Sequence, residues 1–308
     1  YFAKVIVFSV IFIYTIFYLT RSAPAIPSFG LMKKLLSYGL PIIPLILLMP
    51  FLTVSDRYFL HVFSSVEDIG RYGIAYKFGM LINMLLVIPV QRSWGPQMFQ
   101  VGNLIEENKR IHRDITFYYS YIGLFIILGL YLFAETILLI FANEDYLSVS
   151  WVIPWISLAY FIGGFKIFLQ ASASIADRTD LFIKTGIYTI ISNLLLNYIL
   201  IKNFSIQGAV ASTILSYLIL VILLFFSSKR VSKIKWPIKR IIHGASIAFF
   251  LIITFYILKK NDLDYEIIIK VFLLILFPII SFLTNLIGNR EIKGLRSLWN
   301  SFFKKVLA

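Results

Sequence analysis

The sequence predicts an all-α polytopic protein: a transmembrane helical bundle of about nine spans. Three observations carry this prediction. Of the 308 residues 59% are hydrophobic and only 14% are charged, with a mean hydropathy of +0.86; an ordinary soluble domain has about 45–50% apolar and roughly 25% charged residues. The apolar residues fall in runs of about 20, the length a helix needs to cross a bilayer core. The cations between those runs cluster in every second connection. Disordered and low-complexity classes are excluded, because Phe (29) and Tyr (18) are abundant while Gly (16) and Pro (10) are not. There is no cysteine, which excludes disulfide frameworks, thiolate nucleophiles and Cys-ligated metals. His61, His112 and His243 lie far apart in the sequence, so we expect no metal site and no cofactor.

The first span covers residues 2–20. It begins without the charged region and small-residue cleavage site of a signal peptide, and we expect the N-terminus to lie inside a longer protein. Residues 21–38 form a linker with Pro24 and Pro27, ending in Leu31-Met-Lys-Lys-Leu-Leu, which predicts a helical turn lying on the membrane surface. The second span, 39–60, contains Pro41, Pro44 and Pro50, which weaken its helix and make it a candidate hinge. Spans at 72–91, 116–140, 149–172, 182–201 and 207–227 follow with short links, so residues 39–228 form a six-helix unit. A basic loop, 229–240, precedes a final pair at 241–258 and 266–287. In the tail, 288–308, Leu295, Leu298, Trp299, Phe302 and Phe303 alternate with cations, as in an interfacial amphipathic helix. The order is one span, then six, then two.

The formal charge of +14 would suggest nucleic acid in a soluble protein. Here 20 of the 29 Lys and Arg fall on one side of the predicted spans and only Arg71, Lys202, Lys259 and Lys260 on the other. This is the positive-inside pattern, which predicts a cytoplasmic C-terminus. The cations are scattered over five segments rather than gathered on one face, so no nucleic-acid partner is expected.

Five cations break the sorting: Lys4, Arg57, Lys77, Lys166 and Lys270. A charge inside a membrane is costly unless it is paired, snorkels or faces water, and so marks a functional site by default. Lys4 and Lys270 lie near span ends and are read as snorkelling. Asp56 and Arg57, late in the second span, and Lys77, early in the third, are placed at similar depth; an interfacial ion pair is the competing reading. Lys166 falls near the centre of its span beside Gly163 and Gly164, and is read as lining a wet cavity or as paired, with Glu135 a conceivable partner.

Ser37-Tyr-Gly-Leu-Pro-Ile-Ile-Pro, Ser55-Asp-Arg-Tyr-Phe-Leu, Gly70-Arg-Tyr-Gly-Ile-Ala-Tyr-Lys, Trp94-Gly-Pro, Asn193-Leu-Leu-Leu-Asn and Ile206-Gln-Gly-Ala-Val-Ala-Ser-Thr, in this order and spacing, resemble bacterial polysaccharide flippases. These O-antigen and capsule repeat-unit exporters belong to the multidrug/oligosaccharidyl-lipid/polysaccharide superfamily. The resemblance implies a 14-span, two-lobe transporter of which this chain matches the sixth to fourteenth spans. The transport cavity would lie between both lobes, so this stretch alone is not expected to transport. It further implies a bacterial cytoplasmic membrane location, an undecaprenyl-diphosphate-linked oligosaccharide as substrate, and a polysaccharide polymerase and glycosyltransferases as partners in the same pathway. A diphosphate crossing a low-dielectric layer needs compensating cations in a wet cavity; Arg57, Lys77 and Lys166, with Asp56 beside them and Arg92 near the cytoplasmic mouth, are the residues carried into that role. Two other readings are an exporter of the same superfamily, moving drugs by ion antiport or flipping a peptidoglycan precursor, and an integral-membrane polysaccharide enzyme. The short predicted outer loops and the lack of a His/Asp constellation argue against the enzyme.

Overall fold

The computed structural model describes residues 2–22, 28–40, 42–100, 106–175, 180–229, 236–259 and 266–288, and among them there is no strand. The first helix, α1 (Phe2–Ser22), exposes every described side chain from Lys4 to Leu19. A short helix, α2 (Phe29–Gly39), starts at Ser28, whose Oγ accepts from the Leu31 amide at 3.4 Å. It lies where the sequence predicts a surface-bound turn. Pro41, half of the basic loop (230–235) and the amphipathic tail beyond residue 288 lie outside the described residues.

The second span is α3 (Ile42–Phe63), about 33 Å long at 1.5 Å per residue. Pro44 and Pro50 fall inside this one helix, so neither divides the span. Pro44 is the third residue of the helix, where the amide has no partner inside the helix in any case. A proline further along removes a single backbone bond, which membrane helices tolerate.

The interruptions lie elsewhere. The third span is α4 (Val66–Gly79) and α5 (Ile88–Gln100), joined through a π turn at Asn83–Val87. The Asn83 amide bonds the Met80 carbonyl at 2.9 Å, which frees the Gly79 carbonyl, and the hydroxyl of Ser157 donates to that carbonyl at 3.0 Å. The fourth is α6 (Glu106–Leu132), which turns at Phe133 into α7 (Ala134–Phe141). After a 3₁₀ turn, Glu144–Val149, the fifth span is α8 (Val152–Gly164) and α9 (Lys166–Ile175), divided at Phe165. There the Phe165 amide bonds Ile162, and the freed carbonyl of Phe161 accepts from the Tyr119 hydroxyl at 2.7 Å.

The sixth and seventh spans are two arms of α10 (Asp180–Lys229), which reverses at Ser205 (φ 47°, ψ −124°). The Asn193 amide donates to Ser216 and the Ser212 hydroxyl to Asn197, so the arms run antiparallel. Gly208 lets them close at the tip, because a Cβ there would stand 2.1 Å from the Leu200 carbonyl oxygen. The final pair is α11 (Ile238–Lys259) and α12 (Glu266–Leu283). Both pack against α6 and against each other.

Among the described residues, six segments are long and apolar enough to cross a membrane: 66–95, 110–132, 152–170, 184–229, 238–259 and 266–283. The fourth of these contains both arms of α10. With α1 and α3 they accommodate nine crossings, and the chain is a multi-pass membrane protein.

Two predicted ionic environments are corrected. Glu135 is bound by Lys259, whose ammonium donates to its carboxylate at 2.6 Å, and not by Lys166. Lys270 does not snorkel. It is buried, 2.6 Å from Glu266 one turn earlier and 3.3 Å from the Thr136 hydroxyl, because α12 turns that face onto the six-helix unit. At the opposite end Arg240 donates to the Leu286 carbonyl at 2.7 Å and lies 3.5 Å from the Phe117 ring centroid, joining both final helices to α6.

Candidate functional site

A polar layer runs through the six-helix unit where α3, α4, α8 and α10 meet. Neighbouring residues on a helix point about 100° apart, so Asp56 and Arg57 address different surroundings. Asp56 is buried, and its carboxylate accepts from the Tyr72 hydroxyl at 2.5 Å and from the Arg57 amide at 2.7 Å. It therefore ties α3 to α4 rather than facing a cavity.

Arg57 is half-buried, with its guanidinium 5.0 Å from the centroid of the Tyr76 ring. Its Nε has no hydrogen-bond partner and no acid forms an ion pair with it among the described residues. A guanidinium over an aromatic face keeps its donors available at its edge. Arg57 lies six residues, about 9 Å along the axis, from the Phe63 end of α3, inside the membrane-crossing segment.

Tyr76 in turn meets Tyr160, hydroxyl to hydroxyl at 2.9 Å, and the Tyr160 ring lies 5.7 Å from that of Tyr217. Tyr72 and Tyr76 lie one turn apart on α4, with ring centroids 5.4 Å apart and planes tilted by 57°. Tyr217 reaches this layer because Gly163 lacks a side chain, a Cβ there standing 2.4 Å from its ring. Sequence reasoning missed these tyrosines. The one available signal was the four-residue spacing of Tyr72 and Tyr76 inside an apolar span.

Beside the tyrosines, α3 is joined to both arms of α10 by a neutral network. Ser55 donates to Asn193 at 2.7 Å, Asn197 donates to Ser55 at 3.0 Å, and Asn193 donates to Ser216 at 2.9 Å. All of these residues are buried. Their amides and hydroxyls satisfy one another, as a membrane interior demands.

The remaining predicted site residues are dispersed along the unit. Lys77 is exposed on α4, a quarter turn from Tyr76. Lys166 heads α9 and is partly buried, six residues or about 9 Å along the axis from Tyr160. Arg92 is exposed on α5, beyond the π turn. The fold thus brings Arg57, Asp56, Tyr72 and Tyr76 into one contact set, while Lys77, Lys166 and Arg92 lie at successive depths. Among the described residues no group of acidic or imidazole side chains is arranged to hold a metal.

Residues 1–101 match the family model described as "Polysaccharide biosynthesis protein". No curated protein matches the sequence. Among solved structures the fold is similar to "Lipid II flippase MurJ, inward closed conformation", with a TM-score of 0.65 and 16% identity over 87% of this chain. The chain spans 59% of the length of that structure. The family match over residues 1–101 supports the resemblance read from the sequence, and the structural match shows a shared fold.

Proposed function

We propose that the protein is a flippase, moving an oligosaccharide repeat unit linked to a polyprenyl diphosphate across the bacterial cytoplasmic membrane. Its C-terminus is assigned to the cytoplasm by the charge sorting. The observation that carries the reading is Arg57, a half-buried guanidinium within a membrane-crossing helix, held on Tyr76 and without an ion pair among the described residues. A diphosphate entering the membrane loses its hydration, and a planar guanidinium replaces it with paired, charge-assisted hydrogen bonds. Asp56 fixes the backbone of Arg57 and leaves its side chain to the substrate. Lys77, Lys166 and Arg92 are assigned as further phosphate contacts along the path. Transfer is by alternating access and breaks no covalent bond. A polymerase and glycosyltransferases would act before and after it.

A second reading, flipping of a peptidoglycan precursor, is favoured by the fold shared with a lipid II flippase. Both substrates carry a lipid diphosphate, so Arg57 serves either. The test is Arg57→Ala and Arg57→Lys in cells whose surface glycan depends on the gene, with membrane protein level measured in parallel. A charge-assisted hydrogen bond contributes about 1.5–3 kcal/mol, so Arg57→Ala is expected to lower glycan export about 10–100-fold at unchanged protein level. Arg57→Lys, which keeps the charge but not the fork, is expected to fall between. Wild-type export by Arg57→Ala would remove the residue from the path. Loss of peptidoglycan synthesis instead of surface glycan on depletion would select the second reading.

A further inference from the structure

At the cation-poor end of the bundle, a cavity of about 300 Å³ opens between the six-helix unit and the final pair. The Glu135–Lys259 ion pair lies on its wall, and Tyr131, Ser150, Trp151 and Tyr256 also line it. None of these groups enters the proposed transport path. We propose that this cavity is a binding site for the headgroup of a zwitterionic membrane phospholipid of the phosphatidylethanolamine type.

The charges match the ligand. Lys259 and Glu135 remain 43% and 38% exposed despite their 2.6 Å contact, so each has donors or lone pairs left for a third group. A phosphate on the Lys259 ammonium and an ethanolamine ammonium on the Glu135 carboxylate would exchange one ion pair for two. The pocket charge is neutral, as is the ligand, whereas an anionic headgroup would leave the carboxylate opposed. A neutral sugar would hydrogen-bond both groups but carries no charge to compensate either.

The position matches as well. Tyr131, Trp151 and Tyr256 form the kind of aromatic belt found at headgroup level. From Tyr256 an exposed stripe of Ile253, Phe250 and Phe249 descends α11 at helical spacing toward the bilayer core. A headgroup seated in the cavity would lay its acyl chains along this stripe.

The test uses the purified protein in nanodiscs, measuring retention and exchange of lipid by native mass spectrometry. In the wild type, phosphatidylethanolamine is expected to be retained about three- to tenfold over phosphatidylglycerol, the range two partly exposed ion pairs supply. Glu135→Gln with Lys259→Gln removes both charges together and leaves neither unpaired, and is expected to abolish the preference. Soluble glycerophosphoethanolamine should compete for the wild-type site while glycerophosphoglycerol does not, an arm that needs no variant. Equal retention of the two lipids by the wild type, a preference that survives the double variant, or displacement by a free hexose would each overturn the assignment.

Discussion

Gly164→Ala tests how closely the unit around Lys166 is packed. A Cβ at Gly164 would stand 1.9 Å from the Tyr119 hydroxyl oxygen, 2.8 Å from the adjoining ring carbon and 3.1 Å from the Val87 methyl. The Tyr119 ring has little room to retreat. It is stacked on Phe161 at 5.4 Å with the planes 8° apart, and it meets the edges of Phe165 and Phe168. Its hydroxyl is bound to the Phe161 carbonyl. Overpacking of this kind costs about 1–3 kcal/mol, and the displaced hydroxyl bond adds about 1 kcal/mol. The substitution is therefore expected to destabilise the protein by about 2–4 kcal/mol, measured by SDS titration in mixed micelles. Tyr119→Leu removes the colliding atoms, so Gly164→Ala should cost at least about 1 kcal/mol less in that background than alone. Stability within about 0.5 kcal/mol of wild type for the single variant, or strict additivity of the pair, would refute the packing argument.

Other variants address separate features. Asn193→Leu removes three buried hydrogen bonds, to Ser55, Asn197 and Ser216. At about 0.6 kcal/mol for each such bond in a membrane, the same titration should read a loss of about 2 kcal/mol, and no loss would mean the network is energetically idle. Ser205 holds a positive φ while its hydroxyl bonds Ser64 at 2.9 Å and Asp68 at 3.3 Å. Ser205→Ala keeps the strained backbone and loses the ties, whereas Ser205→Gly loses the ties but relieves the strain. The glycine variant should be the more stable by about 1 kcal/mol, and equal stability would show that the turn is unstrained.

The crossings were legible because a membrane-spanning helix advertises itself by length and apolarity alone. The reversal within Asp180–Lys229 was legible too, since Lys202 and Asn203 interrupt the apolar run there. Helix interruptions were not. Pro44 and Pro50 lie within α3, while the breaks lie at Asn83–Val87, where Pro89 two residues on removes the backbone donor to Leu85, and at Phe165, which involves no proline. They depend on Ser157 and Tyr119, from other helices, being placed to bind the freed carbonyls. Arg57 was found because a charge in an apolar run is visible by itself. Its support on Tyr76 and the bond between Asp56 and Tyr72 were not, because they join separate helices. Lys259 was sorted as a loop cation and Glu135 matched to the wrong lysine for the same reason: pairing across 124 residues leaves no mark on either segment.

The two interruptions are also stacked on one another. Val87, the last residue of the π turn, lies against Gly164, the last residue of α8. Within about 12 Å of that contact along the axes, two neighbouring helices have each exchanged a backbone hydrogen bond for a side-chain one, at Gly79 and at Phe161. Bending here strains hydroxyl contacts, which re-form at many angles, rather than a backbone ladder, which does not. The six-helix unit thus contains its own articulated joint, and Lys166 is the first residue beyond it.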